Sequence, residues 1–166
     1  MSYIDTSVII AALDQSDPRQ RLAREALEKR ENKKVSELVL IELASILAKR
    51  DETLSQVSRK IDARRELTLS VVILYIMRRF KLNYRKVDGF KRIFAIGNLY
   101  PPFATAMDIS PRFKLKTLDL LHLSYVKTLI EQGEEINELI TVDEDFGRMK
   151  ELITRELNVE VKTLKI

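Results

Sequence analysis

The chain has 166 residues, 45% hydrophobic and 33% charged, with a net charge of +4 and a sequence pI near 9.3. Those values describe a globular chain large enough for a real core and exclude a disordered one. It has no cysteine and one histidine, which excludes disulfides, thiolate metal sites and a multi-histidine zinc site.

Any bound metal is therefore expected on oxygen donors, which favours magnesium, manganese or calcium. The mild basic excess permits nucleic-acid binding without requiring it. No basic segment precedes an apolar stretch at the N-terminus, so no secretory signal is expected. The longest apolar run, Leu67 to Met77, spans 11 residues and contains Thr68 and Ser70. It is too short to cross a membrane, and the cytoplasm is the expected location. Few Gly and Pro beside many Lys, Arg, Glu and Ile also fit a thermophile's composition.

Residues 2–10, SYIDTSVII, predict a first strand that is apolar on both faces, as in a parallel sheet covered by helices. Asp17-Pro18 predicts a helix cap followed by proline at the first helical position. The helix after it would bury Leu22, Ala23, Ala26 and Leu27 while Arg21, Arg24, Glu25 and Lys29 face water. Lys33 to Val35 is a short strand, and Ser36 can cap the helix ELVLIELASILAKR, whose apolar first turns predict burial. Leu54, Val57 and Ile61 set the stripe of a further helix. The run from Leu67 to Met77 is read as helix on its length and position, and residues 83–97 as weakly helical. Tyr100-Pro101-Pro102 breaks the chain, and Pro111 limits a helix starting near Ala104. LKTLDLLHLSYVKTLIEQG predicts a strong helix closed by Gly133. NELITVD then reads as strand, EDFGRMKELITREL as helix and VEVKTL as a last strand. Strands alternating with helices imply an α/β fold with a mainly parallel sheet. Nothing resembling a linker interrupts the chain, so one domain spanning 1–166 is expected.

Three acids interrupt segments that a core should own: Asp5 in YIDTSV, Glu42 in LVLIELAS and Asp119 in TLDLLHL. A fourth, Asp143 in LITVDEDF, stands where a strand hands over to a helix. In a parallel α/β sheet, ligands gather at the carboxyl ends of the strands. Asp5 and Asp143 come late in their strands and can meet there, with Glu42 and Asp119 reaching in from flanking helices. At roughly 4 Å and an effective dielectric near 20, each like-charged pair costs about 4 kcal/mol. A divalent cation removes that penalty and promotes attack of water on a phosphodiester. That chemistry needs neither cysteine nor a histidine base.

The ordered motifs YIDTSVII, SELVLIEL, TLDLLHLSY and ITVDEDF resemble the PIN-domain family of ribonucleases, in particular its VapC-type toxins. The resemblance covers residues 3–146. It implies a three-layer α/β/α fold around the sheet, with residues 51–100 as an enlarged helical arm. It also implies Asp5, Glu42, Asp119 and Asp143 as catalytic residues and Mg²⁺ or Mn²⁺ ligands, with Asp145 as a further ligand acting through water. The implied activity is metal-dependent cleavage of RNA. The implied partners are a second copy of the chain and, for a toxin, an antitoxin protein; no membrane partner is expected.

Each residue also has a plainer reading. Asp5 can simply end a strand, and Glu42 can be a buried glutamate paired with a cation. Asp119 suits the positive end of a helix dipole, and Asp143 suits a helix cap. Ser7 and Thr141 read as backbone hydrogen-bonders or as supports that orient the carboxylates. His122, three residues past Asp119, reads as a core residue rather than a ligand or base. Arg112, Lys114 and Lys116 are candidates for holding RNA phosphates, or a solvated basic turn. Two rivals remain at this point. A haloacid-dehalogenase-like phosphatase would need a second aspartate where Ser7 stands. A PIN-like scaffold that binds RNA or protein without cutting would have no use for an intact set of acids.

Overall fold

The computed structural model describes residues 1–165, except the side chains of Asp51 and Thr53. Its main sheet has five strands: β1 (Ser2–Ile4), β2 (Lys33–Val35), β3 (Leu82–Tyr84), β6 (Glu138–Thr141) and β7 (Glu160–Thr163). They lie in the order β3-β2-β1-β6-β7, and every pairing is parallel. Ser2, Tyr3 and Ile4 are all buried, so helices cover both faces of the central strand. The core runs through Tyr3, Ile4, Val35, Leu139, Ile140 and Val161 of the sheet into the surrounding helices.

The first strand is shorter than expected. β1 stops at Ile4, and TSVIIAAL forms helix α1 (Thr6–Leu13) rather than more strand. A short apolar run does not separate strand from buried helix by pattern alone. Asp5 decides it: its backbone is still extended, and its carboxylate accepts the Ser7 N–H as a helix N-cap. Helix α2 (Gln20–Lys29) starts two residues past Pro18 and buries Ala23, Ala26 and Leu27. Asp17 accepts the Arg19 N–H at 2.8 Å and clasps the Arg19 guanidinium, so it makes a turn before the helix instead of its cap.

Helix α3 (Glu37–Ala48) is buried along Leu38, Val39 and Leu43 only; Ile41 on its other side is 65% exposed. Helices α4 (Asp51–Ile61) and α5 (Arg65–Arg79) follow, the second confirming the helical reading of Leu67 to Met77. The helical expectation for residues 83–97 fails. That stretch finishes β3 and then forms an antiparallel hairpin of β4 (Lys91–Ile93) and β5 (Gly97–Leu99). Gly89, Ala95 and Gly97 there have φ of 87°, 66° and 108°, which a helix does not allow. The arm is thus helical only in its first half.

Pro101 and Pro102 open α6 (Pro101–Ile109) instead of preceding it, since the first turn needs no N–H donors. Helix α7 (Thr117–Glu131) ends before Gly133, whose φ is 94°. The segment EDFGRMKELITREL divides at Met149 into α8 (Glu144–Arg148) and α9 (Lys150–Leu157).

Candidate active site

The site lies where β1 and β6 end side by side. Asp5 N–H donates to Ile140 O at 3.0 Å, which fixes the register of the two strand ends. Asp5 is 5% exposed, so its carboxylate needs partners. The Ser7 hydroxyl donates to Oδ2 at 2.5 Å and the Thr141 hydroxyl donates to the same oxygen at 2.6 Å. Thr141 Oγ1 also accepts the Asp143 N–H at 2.9 Å. Asp143 in turn caps α8 by accepting the Asp145 N–H at 2.8 Å. Ser7 and Thr141 thus connect the acids at the two strand ends.

Glu42 comes in from α3. It accepts the Thr6 hydroxyl and faces His122 Nε2 at 2.8 Å. His122 Nε2 is also 3.3 Å from Asp5 Oδ1, and Nδ1 is 3.0 Å from the Tyr3 hydroxyl, itself 2.7 Å from Ser36 Oγ. Ser36 sits at the N-cap of α3, but its hydroxyl serves Tyr3 rather than the helix. Burial works against ionisation of Glu42, yet the bonds from His122 and Thr6 outweigh it and hold the carboxyl below its ordinary range. Burial likewise disfavours charged His122, but Glu42 and the charges of Asp5 and Asp119 raise it above the usual imidazole value. His122 is therefore both buried, as the sequence suggests, and part of the site, which its apolar neighbours conceal.

Asp119 enters from the first turn of α7. Its Oδ2 is buried and has no hydrogen-bond partner among the described residues. Burial first, then the charges of Asp143 and Asp5, push its carboxyl up to about 6. Asp145 stands apart electrostatically: Lys116 at 2.8 Å and Arg148 at 2.7 Å bind it, and the Lys116 bond leads in lowering its pKa.

Asp5, Glu42, Asp119, His122 and Asp143 line one cavity of about 320 Å³. Possible ligand atoms fall into two groups, each within 4.8 Å: Asp5, Glu42 and His122, and Asp119, Asp143 and Asp145. A larger groove of about 1080 Å³ runs between Ile73, Leu74 and Met77 of α5 and the edge strand β3, away from these acids. Of the basic candidates, Arg112 is paired with Glu156 at 2.7 Å, Lys116 is paired with Asp145, and Lys114 is exposed. Arg19 lines the same cavity and donates to Val142 O at 3.2 Å. Its sequence neighbours give no sign of that position.

The donor set suits a hard divalent cation. Carboxylate oxygens converge in two groups, and the unpartnered Asp119 oxygen is a polar atom left for a ligand.

The sequence profile of the PIN domain matches residues 2–152. No curated protein matches the chain in sequence. In three dimensions it is similar to a chain of VapBC2 from Rickettsia felis, solved bound to a DNA fragment from their promoter. That match has 16% identity and a TM-score of 0.56 over 99% of this chain and 100% of that one. VapC20 of Mycobacterium tuberculosis, a sarcin–ricin loop cleaving toxin, matches at 18% identity and a TM-score of 0.56 over 89% and 94%. DNA-bound VapBC from Salmonella typhimurium matches at 14% identity and a TM-score of 0.51 over 99% and 98%. At such identities these likenesses carry the fold, and the profile carries the family. This chain belongs to the PIN domain family.

Proposed function

We propose that the protein is a divalent-metal-dependent endoribonuclease and the toxin of a toxin–antitoxin pair. The observation that carries this reading is the meeting of Asp5, Glu42, Asp119 and Asp143 in one cavity, with an Asp119 oxygen left unbonded. These four residues would hold Mg²⁺ or Mn²⁺; Asp145, engaged by two cations, is the weakest member of the set. The chemistry such an ion supplies is ionisation of a water and neutralisation of charge on phosphate oxygens. The chain's own part is to hold its acids in place. Ser7 and Thr141 fix Asp5 through Oδ2, Thr6 fixes Glu42, and the α8 cap fixes Asp143.

RNA as substrate is supported by the net positive charge and by exposed Lys114 ahead of the Asp119 helix. Protein partners are supported by apolar side chains left in water. On α3 and α5 these are Ile41, Leu67, Val71, Leu74 and Tyr75, which suit an antitoxin segment. On the hairpin Phe90 and Phe94 are 79% and 96% exposed, which suits a second copy of the chain. Among the described residues no helix is long and apolar enough to cross a membrane, and a cytoplasmic site of action fits an RNA substrate.

The test is cleavage of a labelled structured RNA with Mg²⁺, Mn²⁺ or EDTA, comparing wild type with Asp5→Asn and Asp119→Asn. Cutting that needs metal and is lost in both variants supports the reading. Cutting that survives EDTA or both substitutions overturns it.

A further inference from the structure

His122 is 2% exposed, and both of its ring nitrogens are engaged. Two carboxylates converge on Nε2, Glu42 at 2.8 Å and Asp5 at 3.3 Å. A single N–H lies in line with only one acceptor, so a proton on Nε2 serves one of these oxygens well and the other poorly. A cation does not have that limit. In octahedral coordination with bonds of about 2.1 Å, neighbouring donor atoms stand about 3.0 Å apart. The distances of 2.8 and 3.3 Å bracket that edge.

The other side of the ring is prepared for the same role. Nδ1 is 3.0 Å from the Tyr3 hydroxyl, and that hydroxyl is 2.7 Å from Ser36 Oγ. With Nδ1–H donating to Tyr3 and Tyr3 donating to Ser36, the imidazole presents a bare Nε2 to the cavity. Metal-bound histidines are oriented in this way by a partner on the second nitrogen. A cation seated between the ring and the two carboxylates would contact Nε2, Glu42 and Asp5 at once.

We propose that His122 is a nitrogen ligand of the metal held by Asp5 and Glu42, and that it biases the site toward Mn²⁺ over Mg²⁺. The proposal rests on the metal-nuclease reading and adds a donor that an all-carboxylate site lacks. Imidazole is a good ligand for the later divalent metals, whereas Mg²⁺ strongly prefers oxygen.

The experiment uses the full chain loaded with Mn²⁺ and pulsed electron paramagnetic resonance, which detects directly bound ¹⁴N. Calorimetric titrations of Mn²⁺ and Mg²⁺ accompany it, on wild type and His122→Gln. Expected are nitrogen coupling in wild type and its loss in His122→Gln. Mn²⁺ affinity should fall about tenfold or more while Mg²⁺ affinity moves within about twofold. Bound Mn²⁺ without nitrogen coupling in wild type overturns the proposal and leaves the nuclease reading standing, since the carboxylates then hold the ion alone. Equal weakening of both ions in the variant also overturns it and makes His122 a hydrogen-bonding prop. No Mn²⁺ binding at all overturns both. If His122→Gln fails to fold, the wild-type spectrum still decides.

Discussion

Thr141 Oγ1 donates to Asp5 Oδ2 at 2.6 Å across 136 residues of chain, while the same oxygen accepts the Asp143 N–H at 2.9 Å. One hydroxyl thus sets the positions of two acids. Thr141→Val, close in shape, should slow RNA cleavage about 10- to 100-fold and cost about 1–2 kcal/mol in urea unfolding. Unchanged cleavage at saturating Mn²⁺ would show that the hydroxyl holds nothing the reaction needs.

Asp119 lies among like charges with a buried oxygen unbonded. Asp119→Asn removes one of those charges and adds a donor. In EDTA the variant should be more stable than wild type by about 1 kcal/mol. Added Mn²⁺ should reverse the order, because ligand at 100 times Kd stabilises wild type by about 2.7 kcal/mol. Thermal melts with and without metal read this directly, and identical metal-induced shifts in both proteins would remove Asp119 from the ligand set.

Glu138, which does not line the cavity, contributes to acid sensitivity. Burial opposes its ionisation, but Lys162, Ser2 and Arg30 outweigh it and bring the carboxyl to about 2. A depressed carboxyl stabilises the fold above its unfolded value and loses that contribution as pH falls toward the folded one. Wild type should therefore lose about 2 kcal/mol from this group between roughly pH 4.5 and pH 2. Glu138→Gln should already lack it at neutral pH and show a flatter acid limb. Parallel limbs in the two proteins would contradict the assignment.

Phe146 is fully buried and Phe94 is 96% exposed. Phe146→Ala should cost about 3–5 kcal/mol. Phe94→Ala should stay within about 0.5 kcal/mol. Denaturant midpoints compare them, and a large loss from Phe94→Ala would mean that the hairpin tip is covered in solution.

The candidate acids were legible because Asp5, Glu42 and Asp119 each break an apolar segment, and Asp143 stands where a strand hands over to a helix. Asp5 and Asp143 could be placed from the parallel sheet alone, as both follow strands that end at one edge. What escaped was local. SYIDTSVII reads as one strand because Val and Ile favour sheets, and the break comes from a single side chain bonding to the Ser7 N–H. Residues 83–97 escaped because Ala95 holds a left-handed backbone that alanine rarely adopts. His122 was visible as a buried residue, but its approach to Glu42 joins two helices 80 positions apart, which no spacing within either helix encodes.

The strand order also bears on when the site exists. β1 is the middle strand and is made first, while its neighbour β6, with Thr141 and Asp143, emerges on the far side of seven helices. During synthesis Asp5 has Ser7 beside it and gains Glu42 early, but it waits without the Thr141 hydroxyl and without Asp143 until β6 has left the exit tunnel. For the ribonuclease proposed above, made on a machine built of RNA, that order would be a safeguard: Asp5 and Glu42 come early in the growing chain, but the site cannot close until Asp119 and Asp143 have followed.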